Sequence, residues 1–165
     1  MKVLVTAASK HGATAEIGER IAAELSRRGH EVTNRPPEEV GKVDSFDAVV
    51  LGSAVYAGRW RPEARDFVDE FGHDLLDRPL WLFSSGPLGE PPKPDEDPMD
   101  VPAIVEATSP HQHRVFPGKL DLEALGMAER AIVRALRAPY GDFRDWDAIA
   151  DWAGEIADTL DSAGT

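Results

Sequence analysis

Thr6-Ala7-Ala8-Ser9-Lys10-His11-Gly12-Ala13-Thr14 follows an apolar run, Val3-Leu4-Val5, and opens onto a helical pattern that begins near Ala15. A short loop of hydroxyl, glycine and small residues between a strand and a helix N-terminus can hold a phosphate. The backbone N–H groups there lack intrahelical acceptors, and the helix dipole favours negative charge. Ser9 and Thr14 add hydroxyl donors, Lys10 and His11 add positive charge or simple exposure, and Gly12 lets the backbone approach a ligand closely. The other reading is a βα turn that binds nothing.

Two better-known phosphate motifs are excluded. The chain has no G-x-x-x-x-G-K-S/T, so it is not read as a P-loop nucleoside triphosphatase, and no G-x-G-x-x-G, so a dinucleotide fingerprint is missing.

Working outward, Val3 to Ala7 reads as a buried strand. Ile17, Ile21, Ala22 and Leu25 recur at helical spacing up to Arg28, with Gly29 as the stop. His30 to Arg35 is a second strand, ended by Pro36-Pro37. Phe46 to Gly52 is a third, whose near-continuous apolar run suits burial on both faces. Pro62 opens a helix with Ala64, Phe67, Val68, Phe71 and Leu75 on one face, and Leu80 to Ser84 is a fourth strand.

Gly86 to Pro110 changes character. It carries Pro87, Pro91, Pro92, Pro94, Pro98, Pro102 and Pro110, and its acidic residues face a single base, Lys93. This is a long, proline-stiffened acidic loop with a short helix around Val101 to Ala107. Gln112 to Phe116 is a fifth strand, and Leu122 to Ala138 an extra helix in an insertion. Asp145 caps a last helix whose face is Ile149, Trp152, Ile156 and Leu160, with Trp146 and Trp152 read as its core. The pattern predicts a single domain over residues 1–165. It is an α/β, three-layer, doubly wound sandwich with a five-stranded parallel sheet of order 2-1-3-4-5.

That order brings three segments to the carboxyl end of the sheet: Ser9 to Thr14, Ser53 to Trp60 and Ser84 to Gly89. A flavin needs a phosphate cradle and two loops flanking its ring. In the second segment, Ser53, Ala54, Val55, Ala57 and Gly58 let backbone groups reach the ring edge. Tyr56 or Trp60 stacks on the ring or closes its access, or else both are half-buried aromatics over a helix end. In the third, Ser84, Ser85, Gly86, Pro87, Leu88 and Gly89 supply backbone donors to the pyrimidine side of the ring.

Ser9-x-His11-Gly12-x-Thr14 resembles the FMN phosphate loop S/T-x-T-G-x-T, with His11 in place of the second hydroxyl. With Gly52-Ser53-Ala54-Val55-Tyr56-Ala57-Gly58, Phe67-Val68, Arg114-Val115-Phe116-Pro117-Gly118-Lys119-Leu120 and Gly141-Asp142-Phe143-Arg144-Asp145-Trp146, nearly the whole chain resembles the flavodoxin-domain family. Within it, the chain is similar to the branch of menaquinone-dependent protoporphyrinogen IX dehydrogenases. The resemblance implies a flavodoxin-like fold, noncovalent FMN and protoporphyrinogen oxidation in haem synthesis, with electrons passed to a quinone. It also implies an insertion needed for activity, here roughly Lys119 to Arg144. Two alternatives stand beside it: an electron-transfer protein with no substrate of its own, and a flavin-free interaction domain.

In that insertion Arg130, Arg134 and Arg137 share one helix face. The stripe meets an anionic membrane surface, a porphyrin's propionates or a quinone-bearing partner, or it is a solvated face of a packed helix. His111-x-His113 could put two imidazoles on one face, but further ligands with telling spacing are missing, so no metal is expected. Ser84-Ser85-Gly86 is not a G-x-S-x-G elbow, which argues against a hydrolase.

Lys plus Arg is 18 and Asp plus Glu is 30, giving a net charge of −12 that repels nucleic acid and suits a basic redox partner. The absence of cysteine rules out disulfides, thiolate metal sites and cysteine nucleophiles. With no apolar run of the roughly 20 residues a membrane span needs, and with Met1-Lys2 leading directly into a strand, a cytoplasmic protein is expected. Peripheral contact at the inner face of the membrane stays open.

Overall fold

The computed structural model describes residues 1–10, 12–56, 58–86, 100–120, 127, 141–142 and 144–163. Strand β1 (Lys2–Ala8) leads into helix α1 (Ala13–Arg27), then β2 (Glu31–Asn34) and a 3-10 turn (Pro37–Glu39). Strand β3 (Ala48–Tyr56) turns back through β4 (Arg59–Trp60) into α2 (Pro62–Leu76) and β5 (Leu80–Ser85). Helix α3 (Val101–Thr108), β6 (Gln112–Phe116), β7 (Lys119–Leu120), β8 (Gly141–Asp142) and α4 (Trp146–Ala163) follow.

Among the described residues, parallel strands lie in the order β2-β1-β3-β5-β6. Counting the parallel strands alone, this is the expected 2-1-3-4-5. Both faces are covered, so the central strands are apolar throughout rather than alternating. Val3, Val5, Val50, Trp81 and Phe83 point to α1 and α4, where they meet Ile17, Ile21, Trp152 and Ile156. Leu4, Val49, Leu51, Leu80 and Leu82 point to α2 and α3, against Phe67, Phe71, Leu75 and Ile104. The expected apolar faces of α2 and α4 are the ones buried. Each such fully buried large side chain contributes about 1.5–3 kcal/mol. The Asp145 carboxylate accepts the Ala148 N–H at 3.0 Å, the expected cap of α4.

Three differences from the sequence reading bear on the site. Helix α1 begins at Ala13, so Thr14 lies inside its first turn. The third strand covers 48–56 rather than 46–52, because its far end finds a partner in β4: Val55 pairs with Trp60 and Tyr56 with Arg59. Ser53 to Tyr56 is therefore strand and not loop. The insertion, read as a helix, starts and ends in a two-stranded ribbon that pairs Lys119 with Asp142 and Leu120 with Gly141. The predicted helix 122–138, with Arg130, Arg134 and Arg137, lies outside the described residues apart from Met127.

Candidate functional site

Strand register sets the site. Ala8 pairs with Ser53, Ala54 with Ser85, and Ser85 with Phe116. The last residues of β1 and β5 thus flank β3 at the point where it leaves the sheet. All three predicted segments emerge side by side at the carboxyl end, the place where open α/β sheets bind ligands.

In the first segment, Gly12 is the N-cap of α1 with φ 90°, a left-handed conformation that favours glycine. A glycine cap has no side chain to offer, and the first-turn N–H groups of Ala13 and Thr14 have no intrahelical acceptor. The half-buried Ser9 accepts the Gly12 N–H on Oγ at 3.0 Å, which folds the loop over the helix end. Lys10 is exposed and Thr14 is buried. His11 lies outside the described residues.

In the second segment, Ser53 is buried and its hydroxyl is used internally. It accepts the Arg61 N–H and donates to the Ala54 carbonyl, both at 2.8 Å. Ala54 and Val55 are half-buried. Trp60, offered as a ring-stacking residue, is only 1% exposed. Its indole N–H donates to Ser84 Oγ at 2.7 Å, and its backbone N–H donates to the Asp100 carboxylate at 3.1 Å. Trp60 is thus a core residue that ties β4 to β5 and to the start of α3. Gly58 turns the hairpin, leaving Tyr56 as the candidate aromatic; Ala57 lies outside the described residues.

In the third segment, Ser84 Oγ also shares a 2.7 Å hydrogen bond with His113 Nε2, so the hydroxyl of this buried serine is committed to the scaffold. Gly86 donates its N–H to the Phe116 carbonyl at 3.2 Å. A β-carbon on Gly86 would stand 3.2 Å from the Val55 carbonyl oxygen, and one on Gly118 2.8 Å from the Gly86 Cα. The hairpin of the second segment, the start of the third and the turn after β6 are therefore in close contact. Pro87, Leu88 and Gly89 lie outside the described residues.

His111 and His113 do not share a site. His111 stacks on Trp81 at 4.8 Å between ring centroids, on the α4 face, whereas His113 bonds to Ser84 on the α2 face. Among the described residues no group of three or more His, Asp or Glu could hold a metal ion.

One residue near the Ser9–Thr14 segment was not singled out as a site residue by the sequence. Arg144, with its side chain 4% exposed, takes Asp142 in a fork, Nε to Oδ1 at 2.9 Å and Nη2 to Oδ2 at 2.8 Å. Its Nη1 donates to the Ala13 carbonyl at 3.2 Å and to Glu16 Oε2 at 3.1 Å. The hydrogen bonds from Arg144 hold the Asp142 carboxyl below the usual carboxylate range, and the bond to Asp142 raises the guanidinium. A tail-region arginine gives no sequence signal of a contact 131 positions away.

A model of the flavodoxin domain family matches residues 4–147. The chain belongs to the flavodoxin domain family. Membership implies a flavin cofactor and a redox role, as an enzyme or an electron carrier. Among curated relatives, protoporphyrinogen IX dehydrogenase [quinone] of Escherichia coli strain K12 is 23% identical, over 98% of this chain and 97% of that one. Solved structures agree on the fold. A flavodoxin from the domain Archaea is 15% identical with a TM-score of 0.67, covering 98% of this chain and 99% of that one. Oxidised flavodoxin 1 from Bacillus cereus is 14% identical with a TM-score of 0.66, covering 96% and 98%. Rubredoxin oxygen:oxidoreductase from Desulfovibrio gigas matches at 13% identity and a TM-score of 0.65, over 98% of this flavodoxin-domain chain and 36% of the larger protein. Among the described residues no helix is long and apolar enough to cross a membrane.

Proposed function

We propose that the carboxyl end of this sheet binds FMN, and that the protein is an FMN-dependent oxidoreductase of the protoporphyrinogen-dehydrogenase type. Electrons would pass from substrate to flavin to a quinone. The observation that carries the FMN reading is the glycine-capped N-terminus of α1, folded over by Ser9, beside two segments that emerge in adjacent register. The first-turn N–H groups of Ala13 and Thr14 suit a phosphate, with the Ser9 hydroxyl in the loop before them and the Thr14 hydroxyl in the first turn of α1. Tyr56 to Gly58 and Ser85 to Gly89 take the two sides of the ring. Bound FMN supplies hydride acceptance and electron transfer, while the protein orients it and sets its potential.

The substrate part of the reading is supported by the end-to-end match to the Escherichia coli enzyme. It is supported further by the β7–β8 ribbon that closes a segment between β6 and α4, where the enzyme branch carries its insertion. The test is anaerobic turnover of protoporphyrinogen with a quinone acceptor, followed by porphyrin fluorescence. A rate no better than that of free FMN would remove the enzyme assignment. A net charge of −12 favours the second reading, an electron carrier that docks on a basic partner. Visible absorption of the purified protein separates both from a flavin-free domain.

A further inference from the structure

We infer that Arg144 is a positioning residue for the phosphate loop, held in place by Asp142 and Trp146. The inference rests on the FMN reading above.

Four contacts immobilise the guanidinium. Asp142 grips it through the two-bond fork and also accepts the Arg144 backbone N–H at 3.1 Å. The Trp146 ring lies under it, 4.6 Å from centroid to Cζ. Asp145, between them, caps α4. Asp142 itself is fixed by the β7–β8 ribbon. The outward end of the fork then meets α1 at the Ala13 carbonyl and at Glu16.

The contact with Ala13 is the informative one. The peptide that joins Ala13 to Thr14 is planar, so fixing its carbonyl oxygen fixes the direction of the Thr14 N–H on the opposite side. That N–H is one of the donors at the start of α1 with no intrahelical acceptor. Arg144 therefore aims a phosphate donor without touching the phosphate. The bond to Glu16 matters for a second reason. Glu16 is a carboxylate in the first turn, where it would repel a bound phosphate, and the guanidinium draws it to the side and offsets its charge. Lysine could supply the charge but not the planar fork that spans Asp142 and Ala13.

The test compares FMN with riboflavin, which has the same ring and no phosphate. Both affinities are measured by flavin fluorescence on the full-length protein. Wild type binds FMN more tightly than riboflavin. Arg144→Gln weakens FMN roughly ten-fold, a size typical of coupling between distinct parts of a protein, and leaves riboflavin unchanged. Arg144→Lys shows the same selective loss. Asp142→Asn, at a 42%-exposed carboxylate, shows it in smaller measure and carries the test alone should the Arg144 variants not fold. An unchanged FMN preference in the folded variants overturns the inference. So does an equal loss for both flavins, which marks a general structural role, and so does full recovery by lysine, which reduces the effect to charge. A wild-type protein that binds neither flavin overturns the FMN reading itself, and the inference with it.

Discussion

The indole N–H of Trp60 donates a 2.7 Å hydrogen bond to the hydroxyl of Ser84, across the sheet end that carries the candidate site. Both groups are buried, and the same hydroxyl also meets His113. Ser84→Ala leaves a buried indole donor without an acceptor, at a cost of about 1–3 kcal/mol. Trp60→Phe in the same background removes the orphaned donor and recovers part of that loss. Urea midpoints of the two single variants and the double variant check this. Additive losses would deny the coupling.

Gly52 and Phe83 face each other in register, and the Phe83 ring occupies the space a side chain on Gly52 would need. The ring cannot retreat, because Phe116 and Trp152 pack against it at centroid distances of 6.3 and 6.1 Å. Gly52→Ala therefore overpacks the centre of the sheet and destabilises by about 1–3 kcal/mol. Adding Phe83→Leu relieves part of the crowding. If Gly52→Ala alone leaves the denaturation midpoint unchanged, this account of the ring is wrong.

Ser9 accepts the Gly12 N–H and stands in the loop proposed to hold the phosphate. Ser9→Ala combined with Thr14→Ala weakens FMN binding by about 1.5–3 kcal/mol, the worth of one hydrogen bond to a charged group. Riboflavin binding is the control and stays the same. Equal FMN affinity in the variant would remove the loop from the site.

The Asp142–Arg144 pair carries a pH signature. Its hydrogen bonds lower the Asp142 pKa in the folded state, so the unfolded chain takes up the proton first as pH falls. The stabilisation is present above the ordinary aspartate value of about 4 and is lost as pH falls through the lower folded value. Because Asp142 is 42% exposed, solvent screens the pair and the effect is small. Melting temperatures of wild type and Asp142→Asn differ at pH 7 and converge toward pH 2. A difference that persists at pH 2 would trace to something other than this charge pair.

Much of this protein was legible in its residues alone. Periodicity located the parallel strands, the apolar faces of α2 and α4, α3 and the Asp145 cap, because these depend on neighbours three to four positions apart or on alternation along a strand. The order of strands followed from short connections and the handedness of βαβ crossovers. The glycine-capped loop was readable for the same local reason. Which polar residue faces a ligand and which is spent on the scaffold is decided by contacts distant in sequence. Trp60, offered as a ring-stacking side chain, is turned inward, and the hydroxyls of Ser53 and Ser84 are spent on the scaffold, through partners eight to 29 positions away. The pairing of β4 with β3 lengthened a strand that composition had cut at Gly52. Arg144 reaches the start of α1 across 131 positions, and local pattern carries no trace of a contact that exists only because the chain folds back on itself.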